Sequence, residues 1–347
     1  MVTLGADCHK QSHTVVATDG NGRQLGTRTV RATPAGHLDA LQWAKQWSER
    51  CWALEDCRHL SRRFEADLLS SDEAVVRVSP KMMAGARRSA RTRGKSDPID
   101  ALAVARAAVR EPDLPVAQPE GASRDVRLLV DHREDLVAER TRIVNRLRWH
   151  LHELAPGYEL PIRSLNRTSS WTAVAELLDR QQGLVAELAA ELLARIKELT
   201  ARINELEQRI TKMVGQLVPS LLELPGCGSL TAAKLLAETG DISRFHSRSS
   251  YARHNGTAPI PVWSGNRDRV RLNRGGNRQL NAAFHRVAVT QLRLDCQGRD
   301  YFARRLSAGD SRKAAFRVLR RRISDEVYRR LQLDLLPTQQ EAHRHAA

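Results

Sequence analysis

The stretch VTLGADCHKQSHTVVAT, residues 2–18, decides the fold. It holds two β-rich runs, 2–8 and 13–18, separated by a short polar break. Gly20-Asn21-Gly22 is a turn signal, and QLGTRTVR at 24–31 reads as a third strand. Pro34 then opens a helical stretch to about Arg50, with Leu38, Leu41, Trp43 and Trp47 as its apolar positions. CWALE at 51–55 is a short, nearly continuous apolar run of the kind a buried strand gives. A helix near 58–70 and a strand at 74–79 (AVVRVS) follow, then a basic loop, and Asp97-Pro98 starts a helix to about Arg110. Alternating strands and helices predict a mixed α/β sheet, and the order βββαβαβα is that of an RNase H-like fold.

Beyond this unit, EPDLPVAQP at 111–119 carries three prolines in nine residues and reads as a linker. Residues 123–154 are helical by pattern, and 156–170 break the helix. From 185 to 217, Leu192, Leu199, Leu206 and Met213 recur every seven residues, as do Ile196, Ile203, Ile210 and Leu217. The two series are offset by four, which is the seam of a coiled coil. An oligomer-forming coiled coil, with the 123–154 helix as a candidate partner, competes with one long helix packed on its own domain. The predicted division is an α/β unit at 1–112, a helical coiled-coil segment at 120–217, a mainly α C-terminal unit at 218–335 and a disordered tail at 336–347.

The charge narrows the function. Lys and Arg number 56 against 40 Asp and Glu, a formal net charge of +16, and the isoelectric point is near 10.4. Such an excess points to a polyanionic partner, because phosphate contacts release condensed counterions. Aromatic residues make up only 4%, so stacking of bases on an aromatic platform is a poor fit. Cys8, Cys51, Cys57, Cys227 and Cys296 are odd in number and contain no CxxC pair, which speaks against a disulfide framework or a structural zinc. No apolar run reaches membrane-spanning length and the N-terminus lacks a signal-peptide layout, so a cytoplasmic, nucleoid-associated protein is expected.

Four acids share a logic. Asp7 lies in the first strand and Glu55 ends the central one. Asp97 and Asp100 are three apart, hence on one face of the helix that starts there. Strand ends and a helix start converging in an α/β unit would cluster them. Clustered carboxylates repel unless a divalent cation joins them, and Mg²⁺ prefers hard oxygen ligands. Two such ions can bracket the attacking and leaving oxygens of a phosphodiester. Each acid also has an ordinary explanation: Asp97 as a helix N-cap before Pro98, Glu55 or its neighbour Asp56 as a solvated strand end, Asp7 as a strand acid paired with Lys10.

Taken together, GADCHK, ALED and SDPIDALAVA resemble the DEDD motif of the RuvC-like domain found in IS110-family insertion-sequence transposases. The resemblance runs to about residue 330. It implies that Asp7, Glu55, Asp97 and Asp100 are catalytic metal ligands, that the partners are DNA and a guide RNA, and that the protein is a homodimer or homotetramer. LPGCGSLTAAKLLAETGDISRF resembles the family's helix-hairpin-helix-like entry, with Gly226 and Gly228 in the turn, although an ordinary helix-to-helix turn fits too. In GTAPIPVWSGNRDRVRLNRGGNRQL the resemblance puts Ser264 at the catalytic serine, where otherwise it reads as a turn serine before glycine. Two departures stand out: a polar SSYARHN before this segment, and Asn281 where an arginine is common.

Candidate phosphate contacts are Arg87, Arg88, Arg91, Arg93 and Lys95 before the acidic helix, and Arg267, Arg269, Arg271, Arg274, Asn277 and Arg278 after the serine. The first three of that second group alternate and would share one strand face. None is a convincing base for the serine, so its activation is expected from the metal site. The implied activity is Mg²⁺-dependent strand cleavage and rejoining through a serine. The alternatives are a junction nuclease using water and a non-catalytic nucleic-acid-binding protein.

Overall fold

The computed structural model describes residues 1–88, 96–111, 114, 116–118, 121–161, 164–264, 267–273 and 276–336. The chain divides into two compact units, Met1–Pro119 and Glu120–Ala347.

The first unit runs β1 (Val2–Cys8), β2 (Ser12–Thr18), β3 (Gln24–Arg31), α1 (Pro34–Ala44), β4 (Arg50–Glu55), α2 (Arg58–Leu69), β5 (Val75–Val78), α3 (Pro80–Arg88) and α4 (Asp97–Arg110). Its five strands lie in the order β3-β2-β1-β4-β5. The first three are antiparallel, and β4 and β5 run parallel to β1. This is the RNase H-like sheet that the order of elements predicts.

Both faces of the sheet are covered, which explains the unbroken apolar run of β4. Trp52 and Leu54 point with Leu4, Ala6, Val15, Ala17 and Phe64 into one core. Ala53 faces the other way, into a core with Val78, Met83, Val104 and Ala107. Gly5 shares that second face with Asp7, and a Cβ on Gly5 would stand 2.3 Å from the Ala101 carbonyl oxygen and 2.7 Å from the Ala105 Cβ. The absence of a side chain there lets α4 lie directly on β1.

Three boundaries differ from the sequence reading. Helix α1 stops at Ala44 rather than near Arg50. The loop expected after β5 begins as a helix, α3, opened by Pro80. The expected linker is tied to the first unit: Ala117 donates a hydrogen bond to the Val75 carbonyl at 2.7 Å and Val116 bridges Val76, so it covers the edge of β5.

The second unit comprises α5 (Ala122–Leu154), α6 (Thr168–Leu178), α7 (Leu184–Leu217), α8 (Pro219–Leu222), α9 (Ser229–Thr239), α10 (Arg248–His254), β6 (Pro259–Ser264), β7 (Arg267–Leu272), α11 (Arg278–Gln291), α12 (Gln297–Ser307) and α13 (Arg312–Leu335). The long helices α5 and α7 form an antiparallel pair within the chain. Arg133 meets Glu207 at 2.8 Å, Arg140 reaches Thr200 at 3.2 Å and Glu139 pairs with Arg195. The heptad seam is therefore filled intramolecularly: Ile196 packs with Leu147, Leu151 and the α6 residue Val174. At the other end, Ile210 and Val214 join Val126, Val130 and the residues of α8 to α13 in one core. Val218 and Leu221 lie in this core too, so among the described residues it extends across residue 217. Among the described residues no helix is long and apolar enough to cross a membrane.

A buried polar chain crosses the first unit. His13 Nε2 lies 3.2 Å from His37 Nε2, and His37 Nδ1 lies 2.5 Å from Asp67 Oδ2. Phe64 packs against both rings. His13 Nδ1 is buried without a partner, so a second proton on this ring would have nothing to accept it. Burial, then the neighbouring His37, pushes the His13 pKa down to about 4. The unfolded chain takes up this proton near pH 6.5, while the folded chain resists until about 4. The contribution is thus fully present above pH 6.5 and is lost as pH falls toward 4. It amounts to about 3 kcal/mol, at 1.36 kcal/mol per pKa unit. Urea unfolding between pH 7 and 4.5 should show this loss in the native sequence and a shallower one in His13→Gln. Equal slopes would contradict it.

Candidate active site

The sheet register builds the site. Ala6 of β1 sits opposite Leu54 of β4, so the next residues, Asp7 and Glu55, leave two adjacent parallel strands at the same end. By the pleat they share the face with Gly5 and Ala53, the face on which α4 lies. Helix α4 begins at that end, with Asp97 and Asp100 in its first turn. Asp100 is buried one residue before Ala101, the residue that contacts Gly5. The capping position is taken by Ser96, so Asp97 does not serve as the N-cap.

Asp7 is 5% exposed, an uncommon environment for a carboxylate without a full ion pair. Burial pushes its pKa above the ordinary range, His9 pulls it back, and Asp100, Asp97 and Glu55 each add to the rise. Each of the other three acids therefore acts on Asp7. Asp7 Oδ2 is buried and makes no hydrogen bond. His9 Nε2 lies 3.2 Å from that oxygen and 3.4 Å from Asp97 Oδ1. The Asp7, His9 and Asp97 donor atoms all fall within 4.8 Å of one another. A set of hard oxygens around a buried carboxylate that lacks a hydrogen bond fits a divalent cation. Of these residues the sequence reading missed His9, although its spacing of two from Asp7 along an extended strand was a usable signal.

The Cys57 thiol, hydrogen-bonded to Glu55, is pushed up to about 11 by burial and then by that carboxylate. It stays protonated at neutral pH and is no nucleophile.

In the second unit, Ser264 ends β6, opposite Arg267 of β7. Val262 faces Arg269 and Ile260 faces Arg271, so these positions and Ser264 belong to one face of a two-stranded hairpin. The hairpin is closed at its base by two glycines, for a Cβ on Gly276 would stand 2.3 Å from the Gly256 nitrogen. Arg87 and Arg88 end α3. Arg91, Arg93, Lys95 and Arg274 lie outside the described residues.

Gly226 has φ +82° and packs under α11, 3.0 Å from the Val287 carbonyl by its would-be Cβ, which accounts for it as a turn glycine. Gly228 is the N-cap of α9 with open space beside it. Asn277 caps α11 through Gln279 and Leu280 and donates to Glu238 at 2.8 Å, so its side chain is engaged inside the unit. Arg278, next to it, is exposed. Asn281 donates to the Asn255 carbonyl and accepts from Arg320, so a guanidinium from α13 reaches this position.

A transposase family model of the DEDD, IS110 type matches residues 4–156, and the model of the IS116/IS110/IS902 transposase family matches residues 218–303. An uncharacterised protein of insertion element IS116 from Streptomyces clavuligerus is 27% identical, over 94% of each chain. One of insertion element IS900 from Mycobacterium paratuberculosis is 26% identical, over 92% of this chain and 93% of its own. The transposase for insertion sequence element IS1111A from Coxiella burnetii is 26% identical over 84% of this chain and 78% of its own. A Thermus thermophilus RuvC structure gives a TM-score of 0.28 at 15% identity, covering 34% of this chain and all of its own.

The fold, the acid cluster and the two family matches define a transposase, an enzyme that cuts and transfers DNA. The chain belongs to the IS110/IS116 family of insertion-element transposases. DNA is accordingly its partner, and divalent-metal dependence goes with its carboxylate set.

Asp7 carries a stability cost of its own. A carboxylate held above its ordinary pKa favours the folded state only when protonated, so its ionisation at neutral pH destabilises the metal-free unit. Asp7→Asn should melt at a higher temperature than the native sequence at pH 7.5 in EDTA. A lower melting temperature would contradict this.

Proposed function

We propose that this transposase cleaves and rejoins DNA at a Mg²⁺ centre held by Asp7, Glu55, Asp97 and Asp100, with Ser264 as nucleophile. The observation that carries the metal centre is the Asp7 carboxylate, buried with an oxygen that makes no hydrogen bond, where Glu55 ends the neighbouring strand and Asp97 and Asp100 open α4. When bound, the cation offsets charge on the phosphate and on the attacking and leaving oxygens. The residues of the chain do the rest. Gly5 sets the depth of α4, and burial keeps the Asp7 carboxylate aimed rather than solvated.

The Ser264 oxygen attacks phosphorus, one deoxyribose oxygen leaves and takes a proton, and a phosphoserine link keeps the phosphate activated for rejoining. Reversal at a second DNA end restores the diester and frees the serine. Arg267, Arg269 and Arg271, on the same hairpin face as Ser264, hold the backbone phosphate and offset its developing charge. Arg87, Arg88, Arg91, Arg93, Lys95, Arg274 and Arg278 extend phosphate contact beyond the reacting group, with Gly228 at the α9 N-terminus. The nucleophile and the metal ligands belong to different units of the chain, so the reaction needs both.

The resemblance to this family adds a bridge RNA that chooses the DNA sequence and a dimer or tetramer that holds the DNA ends. Aromatic residues make up only 4% of the chain, which favours contact with the nucleic-acid backbone over stacking of bases.

The test is to incubate the full chain with co-purified RNA, element-end DNA and Mg²⁺, then separate covalent protein–DNA adducts under denaturing conditions. The native sequence should give an adduct. Ser264→Ala should give none, with cleavage slowed on the order of a thousandfold or more and DNA binding retained. Unchanged cleavage in Ser264→Ala would overturn the serine mechanism and leave a nuclease that uses water.

A further inference from the structure

The imidazole of His9 stands among the acids without a role in the reading above. It follows β1 directly, and its backbone N–H donates to the Ser12 carbonyl at 2.9 Å, so the tight β1–β2 turn fixes where the ring begins. Its Nε2 lies between two carboxylate oxygens, 3.2 Å from Asp7 and 3.4 Å from Asp97. A charge-assisted N–H···O bond would draw these atoms to about 2.8 Å. The observed spacings are longer, and Asp7 Oδ2 makes no hydrogen bond despite its burial. Neighbouring donor atoms on one cation, with metal–ligand bonds of about 2.1 Å, stand roughly 3 Å apart. The spacing of Nε2 from each oxygen is therefore closer to that of joint ligands than to that of an ion pair.

We propose that His9 is a nitrogen ligand of the cation held by Asp7 and Asp97, giving this centre a mixed nitrogen–oxygen donor set that favours Mn²⁺ over Mg²⁺. The proposal rests on the metal-centre reading above and deepens it. Mg²⁺ keeps to oxygen ligands and gives up its waters reluctantly, whereas first-row divalent ions accept imidazole readily, and Mn²⁺ accepts carboxylates equally well. His9 is half-exposed, which leaves its ring room to turn onto the ion. Glu55 and Asp100 remain to hold a second cation, the one that keeps an all-oxygen shell.

Full-length protein loaded with Mn²⁺ alone is examined by electron spin-echo spectroscopy, which reads magnetic coupling between Mn²⁺ and a bound nitrogen. Mn²⁺ and Mg²⁺ affinities are measured beside it by calorimetry. The native sequence should show nitrogen coupling and bind Mn²⁺ more tightly than Mg²⁺. His9→Ala should lose the coupling and weaken Mn²⁺ binding about tenfold or more, with a smaller effect on Mg²⁺. His9→Gln should also lose the coupling, which controls for any packing defect in the alanine variant. Bound Mn²⁺ without nitrogen coupling in the native sequence, or coupling that survives in either variant, would overturn the proposal while leaving the carboxylate centre standing. Binding of Mg²⁺ without binding of Mn²⁺ would overturn this proposal alone, and failure of the native sequence to bind either ion would overturn both.

Discussion

The contact on which the first unit depends is that of helix α4 with strand β1 at Gly5. With no side chain on that residue, Ala101 and Ala105 come down onto the strand backbone. The descent fixes the position of the helix start, and the helix start carries Asp97 and Asp100. Were α4 held a side chain's thickness farther out, Asp7 would lose two of the three acids that raise its pKa. A packing constraint made of one glycine and two alanines thus sets the electrostatics of the site. The buried His13–His37–Asp67 chain braces the opposite face, joining β2 to α1 and α2.

The second unit solves a different problem. Its two longest helices bury their apolar seam against each other and against α6, then merge into the core of the remaining helices. Lys234, 2% exposed, is held at the α5–α9 contact by Glu134 at 2.9 Å, with Asp131 and Glu238 near 4 Å. A buried ammonium is tolerable only with such partners, and removing one would strand the charge. Glu238 also accepts from Asn277 at the start of α11, so the same network orients the helix that follows the serine-bearing hairpin.

Much of this was legible in the sequence, and the exceptions have physical causes. The five strands and α4 announce themselves through apolar runs, turn residues and the Asp97-Pro98 start, and their order alone predicts the sheet. Helix α3 was hidden because Gly85 and the arginines at its end read as loop, although Pro80 marks its first turn. The heptads of α7 were legible as a seam but not as to what fills it: period seven states that a helix is needed alongside, not which chain supplies it. The four acids were legible only as a set, because Asp7 and Glu55 end neighbouring strands and Asp97 and Asp100 share the first turn of α4, whereas each alone has an ordinary reading. His9 escaped because its spacing of two from Asp7 is a signal shared by many strand-end residues, and Asp97, which singles it out, lies 88 positions along the chain.

The proposed chemistry stands or falls on Asp7, Glu55, Asp97 and Asp100 acting as one metal centre for DNA cleavage. The most direct measurement is the rate of divalent-dependent strand cleavage by full-length variants in which each acid is replaced singly by its amide, with DNA binding measured in parallel. All four variants should bind DNA as the native chain does, and each should lose cleavage at saturating Mg²⁺. Native cleavage rates in Asp7→Asn or Asp100→Asn, or undiminished cleavage by the native chain in EDTA, would contradict it.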